Sequence, residues 1–187
     1  MEGANHLPAP TPTGNVLVVA RVRPLNRLEM EKGSKCCLDF ASDGQGLTIN
    51  MGSETSAAFG VNRFAFDRVF DMASKQREVY DQAARPIIDS VLDGFNGTIF
   101  AYGQTASGKT HTMQGPDLSA LEDVENQGII PRMVRTVFNR IETASENVEF
   151  SVKVSMCEIY NERIKDLLEP RNDDLKIREE KGKGVYI

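Results

Sequence analysis

Apolar residues along this chain fall into three patterns, and each predicts a different element. Short unbroken runs predict buried strands: residues 16–22, ended by Arg23-Pro24 because proline donates nothing to a ladder, and residues 98–102, rich in β-branched and aromatic side chains. Alternation predicts half-buried strands at 64–70 and 148–160, where Phe150, Val152, Val154 and Met156 alternate with Ser151, Lys153 and Ser155. Spacings of three and four predict helices. One starts from an N-cap at Ser74, carries Val79, Tyr80, Ala83, Ile87, Val91 and Leu92 on one stripe, and ends at Gly94, Asn96 and Gly97. Pro86 is expected to split or kink it near Ala84. A second follows Gly128-Ile129-Ile130-Pro131 and gathers Val134, Val137, Phe138 and Ile141 on one side.

Shorter signals fill the gaps. Strand-like runs at 37–40 and 47–50 flank Asp43-Gly44-Gln45-Gly46, whose match to the D-x-x-G pattern of γ-phosphate sensors is outweighed by its hairpin-turn chemistry. Residues 116–127 read as an exposed acidic loop, 163–168 as a helical turn, and 175–187 as two short strands around Lys181-Gly182-Lys183-Gly184. Strands alternating with helices predict an α/β fold, a mixed sheet flanked by helices.

Composition narrows the class. With 187 residues, one domain over 15–187 is expected, preceded at 1–14 by a Pro-rich disordered leader. A net charge of −5 gives no overall footprint for nucleic acid, and no apolar run approaches the roughly 18 residues of a membrane span. Cys36, Cys37 and Cys157 form no C-x-x-C pair and suit a reducing compartment as small buried apolar groups or spectators, while His6 and His111 are too few for a metal site. Asn96-Gly97-Thr98 has the form of a glycosylation sequon, but it leads straight into the run at 98–102 and reads as a turn.

The chemistry concentrates in Gly103-Gln104-Thr105-Ala106-Ser107-Gly108-Lys109-Thr110, which fills every fixed position of G-x-x-x-x-G-K-[ST]. Glycines let the backbone approach phosphate oxygens, successive N–H groups form an anion nest, and the following helix adds its positive end. Lys109 then reaches the β- and γ-phosphates, and the Thr110 hydroxyl takes one position on Mg²⁺. A Gly/Ser-rich surface turn is the alternative reading, against which the flanking strand and helix signals weigh.

Four segments resemble the motor domain of kinesins, of the conventional plus-end-directed type: residues 19–26 (VARVRPLN), 95–102 (FNGTIFAY), the P-loop continuing as His111-Thr112-Met113, and 157–162 (CEIYNE) with Asp166-Leu167-Leu168. The resemblance runs in order from about Asn15 to the last residue, and 175–180 also looks like conventional kinesin. It implies an ATP-dependent, Mg²⁺-using microtubule motor with a P-loop NTPase-type sheet, located in the cytoplasm on the microtubule cytoskeleton. It also implies an adenine-side clamp of Arg21, Arg23, Pro24 and His111, and basic contacts to tubulin from Arg163, Lys181 and Lys183.

A kinesin motor is expected to continue with N-x-x-S-S-R-S-H and D-L-A-G-S-E, and neither occurs in the 187 residues. The sheet is therefore expected to be incomplete at the C-terminus, no catalytic residue is assigned, and little turnover is expected of this chain alone. A truncated, non-motile nucleotide- or tubulin-binding module and an unrelated P-loop enzyme are the alternatives. Oligomeric state is left open, since it lives in a stalk outside these residues.

Overall fold

The structure is a computed structural model, described for residues 16–50, 61–116, 123–182 and 184–187; the expected leader at 1–14 and Lys183 lie outside the described residues. The chain divides into two compact units, Met1–Thr143 and Ala144–Ile187.

In chain order the first unit contains β1 (Val19–Arg21), α1 (Arg27–Glu31), β2 (Leu38–Phe40), β3 (Gly46–Ile49), β4 (Asn62–Ala65), β5 (Arg68–Phe70), α2 (Gln76–Val79), a π-helical turn (Tyr80–Ala84), α3 (Arg85–Leu92), α4 (Lys109–Met113) and α5 (Ile129–Glu142). β1 and β5 pair in parallel, with Val19 opposite Arg68 and Arg21 opposite Phe70. β2, β3 and β4 form an antiparallel sheet. The single strand expected at 64–70 is thus two strands of different sheets. Asp67 sits at the break, where its carboxylate accepts the Val18 N–H (2.7 Å) and its own N–H donates to the Val18 carbonyl. The β2–β3 turn is a hairpin as expected: Asp43 Oδ1 accepts the N–H groups of Gln45 and Gly46.

The helix expected from Ser74 starts one residue later, with Lys75 at the N-cap position, while the Ser74 hydroxyl donates to Asp71. It changes form where Pro86 predicts a break. Proline lacks the N–H that would bond four residues back, and the chain answers with a π turn in which Arg85 donates to the Tyr80 carbonyl, five residues back. α5 begins at Ile129 rather than after Pro131, since proline is tolerated in a first turn. Tyr80, Ala84, Ile88 and Ile129 form the core, with Leu92, Ile99, Met113, Met133 and Val137 packed against them.

Residues 98–102 correct the expectation of a doubly buried strand. Among the described residues they pair with no strand, Phe100 and Tyr102 are 82% and 91% exposed, and of the five Ile99 packs on the core. Strand propensity expresses packing against neighbours, and here those neighbours are lacking.

The second unit holds β6 (Cys157–Tyr160), β7 (Arg163–Asp166), β8 (Arg178–Glu180) and β9 (Gly184–Tyr186), paired as two hairpins. The long strand expected at 148–160 is paired only over β6, and the helical turn expected at 163–168 is strand β7. Asn161 and Glu162 both take positive φ (48° and 62°), so a two-residue turn folds the chain straight back. The β8–β9 hairpin agrees with the sequence reading. Cys36, Cys37 and Cys157 are exposed free thiols rather than buried groups. Among the described residues, no helix is long and apolar enough to cross a membrane.

Candidate functional site

The loop that carries the phosphate-binding pattern starts where Ile99 anchors the chain to the core and ends at α4. Its shape depends on what its residues lack. A Cβ on Gly103 would collide with the Ser107 side chain. Gly108 caps α4 with φ at 98°, and no side chain caps that end of the helix. Between them, Ala106 is held at φ 63°, a left-handed conformation seldom adopted by residues other than glycine. Lys109 Nζ folds back over the loop and donates to the carbonyls of Gly103 (2.8 Å) and Gln104 (2.9 Å). Its ammonium is therefore presented on the loop with neutral acceptors among the described residues. Thr110, one residue further, is exposed.

A second group surrounds Arg21. Its Nη1 donates to Gln76 Oε1 (2.7 Å) and Thr112 Oγ1 (3.0 Å), and burial lowers the guanidinium pKa. Gln76, itself buried, donates from Nε2 to the carbonyls of His111 (2.6 Å) and Asn126 (3.3 Å). Desolvation, and then the Arg21 charge, push the His111 pKa down, which favours the neutral imidazole. Arg21, Gln76, His111 and Asn126 line a cavity of about 370 Å³ together with Ser74, Lys75 and Glu125. A cavity of about 420 Å³ between α3 and α5 contains none of the motif residues.

The residues expected to flank a base are therefore divided. Arg21 and His111 share the cavity. Arg23 turns the other way: its Nε donates to the Ala106 carbonyl (3.0 Å), and its terminal nitrogens grip Glu29 at 2.7 and 2.6 Å. Pro24 is exposed, and its carbonyl accepts a further bond from Arg23 Nη1. Sequence reading missed two members of this arrangement. Glu29 had a signal, since Asn26-x-x-Glu29 is a capping box and is formed as one at the start of α1. Gln76 had none, because its neighbours come from distant parts of the chain. Arg163 and Lys181 are exposed in the second unit, and Lys183 lies outside the described residues.

A glycine-bounded loop that curls a lysine ammonium over its own carbonyls and opens into a helix, set among mixed strands and helices, defines an α/β protein of the P-loop NTPase type. The sequence matches the kinesin motor domain over residues 21–187. Kinesin-related protein 3 of Dictyostelium discoideum is 49% identical over 92% of this chain and 14% of its own length, and the kinesin-1 heavy chain of Homo sapiens 44% identical over 92% and 16%. A solved fast kinesin, described with implications for its ATPase mechanism and its interactions with microtubules, superposes with a TM-score of 0.80 at 44% identity, covering 91% of this chain and 46% of that one. The chain belongs to the kinesin motor domain family, which is nucleotide-binding. It spans less than a fifth of the length of these curated relatives.

Proposed function

We propose that this chain is the nucleotide-holding part of an ATP-dependent microtubule motor of the kinesin type. The observation that carries the reading is the posture of Lys109, whose ammonium is held by two loop carbonyls that the oxygens of a phosphate chain can replace with charged acceptors. The loop suits such a chain in its backbone, because Gly103 and Gly108 take positive φ and Gly103 lets the loop close against the Ser107 side chain. Gln104, Thr105, Ala106 and Ser107 form the cradle, Lys109 meets the β- and γ-phosphates, and the exposed Thr110 hydroxyl takes one position on Mg²⁺. Arg21, Pro24 and His111 flank the adenine, with the imidazole neutral and so suited to lie flat on a base. Bound Mg-ATP supplies the transferable γ-phosphoryl group.

Arg163, Lys181 and Lys183 contribute basic contacts to the acidic surface of tubulin, a local patch on a chain of net charge −5, and the protein works in the cytoplasm on microtubules. The test is steady-state ATP turnover by the full-length protein with and without microtubules. Stimulation by microtubules that falls with added salt is expected. Turnover indifferent to microtubules overturns the motor reading.

A further inference from the structure

Arg23 sits in the segment that implies a base-side clamp, yet its hydrogen bonds go elsewhere. Nε donates to the carbonyl of Ala106, the residue held in the left-handed conformation at the apex of the loop. Nη1 and Nη2 make a two-pronged pair with the Glu29 carboxylate. Glu29 is fixed in turn, because its Oε2 also accepts the Asn26 N–H (2.8 Å) and the Asn26 side chain caps the Glu29 N–H (2.9 Å). The Cβ position of Gly108 lies 3.9 Å from Arg23 Cβ, so this side chain passes the loop near both Ala106 and Gly108.

We propose that Arg23 is a positioning residue for the phosphate-binding loop, a strut that transfers the rigidity of the capped α1 turn to the Ala106 carbonyl and keeps that peptide turned away from the phosphates. This rests on the nucleotide reading of the loop and assigns Arg23 to the phosphate side of the site. Three features combine to make the strut. A guanidinium is planar and offers donors along two edges, so one side chain can grip a carboxylate with two prongs and hold a carbonyl in a fixed direction, a geometry that a rotating lysine ammonium does not fix. The carboxylate end accepts the Asn26 N–H, and the Asn26 side chain holds the Glu29 N–H in return, so this end belongs to the capped turn of α1. The carbonyl end lies at Ala106, the non-glycine residue of the loop held at positive φ.

The two roles separate with a ligand that has no base. Binding of ATP and of inorganic tripolyphosphate is measured on the full-length protein that carries this sequence, for wild type, Arg23→Ala, Glu29→Gln and the double variant. A strut predicts that Arg23→Ala weakens both ligands by the same factor, about tenfold, the scale of one lost hydrogen bond to a charged group. Glu29→Gln, which faces no ligand, is expected to weaken both by a smaller common factor and to add little in the Arg23→Ala background. Amide exchange over 103–108 is expected to rise in Glu29→Gln while α5 keeps its protection. Loss of ATP affinity with tripolyphosphate binding intact overturns the proposal in favour of a base contact, and unchanged affinity for both overturns it outright. If wild type binds neither ligand and Lys109→Ala changes nothing, the nucleotide reading itself fails, and the strut with it. Should Arg23→Ala not fold, the equal loss for both ligands in Glu29→Gln decides the matter.

Discussion

Among the described residues Lys109 donates to two carbonyl oxygens and to no carboxylate, so its charge is open to neutralisation by a ligand. Lys109→Ala is expected to weaken ATP binding ten- to a hundredfold, from the roughly 1.5 to 3 kcal/mol of a charge-assisted hydrogen bond, with urea stability unchanged within about 0.5 kcal/mol. Calorimetric titration alongside urea unfolding checks both halves. Glu29 gives a prediction in pH. The hydrogen bond from Arg23, and then the Asn26 N–H, hold its carboxyl at about 2 instead of 4.5. The unfolded chain takes up this proton first as pH falls, so the stabilisation is complete above about pH 4.5 and is lost towards pH 2. Glu29→Gln is expected to flatten the acid limb of the urea midpoint across that window and to lie below wild type at pH 7. Asp43, Asp123 and Asp174 are also depressed and keep part of the limb in the variant. A variant curve parallel to wild type contradicts the Arg23–Glu29 link. At this scale the sequence was legible where geometry is written in neighbouring residues, as in the positive φ of Gly103 and Gly108. It was illegible at Gln76, whose partners Arg21, His111 and Asn126 are 55, 35 and 50 positions away.

Elements show the same division between local and distant causes. The helical stretch was legible because its stripe repeats every three or four residues, and even its irregularity was foretold by Pro86. The buried face lies one position beyond the expected one at two places, Ala84 and Ile88 in place of Ala83 and Ile87, and Ile88 is 4% exposed against Tyr80, Ala84 and Ile129. Ile88→Ala is expected to cost about 2 to 5 kcal/mol, the range for a large core residue cut to alanine, and to lower the urea midpoint without abolishing phosphate-loop chemistry. Strands were less legible. β7 was mistaken for a helical turn because the decisive feature is the backbone of the preceding two residues, and Glu162 is no turn former at φ 62°. That misfit makes its own prediction. Glu162→Gly relieves the left-handed penalty and is expected to stabilise the β6–β7 hairpin by roughly 1 kcal/mol, read as slower amide exchange at Ile159 and Ile164. Faster exchange would show that Glu162 contributes something its backbone conformation does not reveal.

For the whole molecule, composition reads as that of an ordinary globular protein, yet the surface does not. In the first unit Phe95, Phe100 and Tyr102 are exposed next to the phosphate loop; in the second, Val152, Val154, Ile159 and Tyr160 stand open along 148–160. Sequence patterning recorded all of these except Phe95 as strand interiors, because such patterning reports which side chains suit burial. It cannot report whether a partner strand is there to bury them, since pairing is non-local. The consequence is physical. Monomers rarely expose contiguous apolar patches beyond a few hundred Å², and open strand edges template association. The 187-residue chain expressed by itself is therefore expected to brighten a hydrophobic dye and to self-associate with rising concentration in sedimentation. Val152→Lys with Val154→Lys is expected to reduce association by placing charge on the exposed stretch of 148–156. Tripolyphosphate binding should stay unchanged, because every phosphate-loop residue lies in the first unit. A dye-dark chain that sediments as a monomer at all concentrations would mean that these side chains are covered in solution. Reduced association accompanied by loss of tripolyphosphate binding would mean that the phosphate loop depends on the second unit.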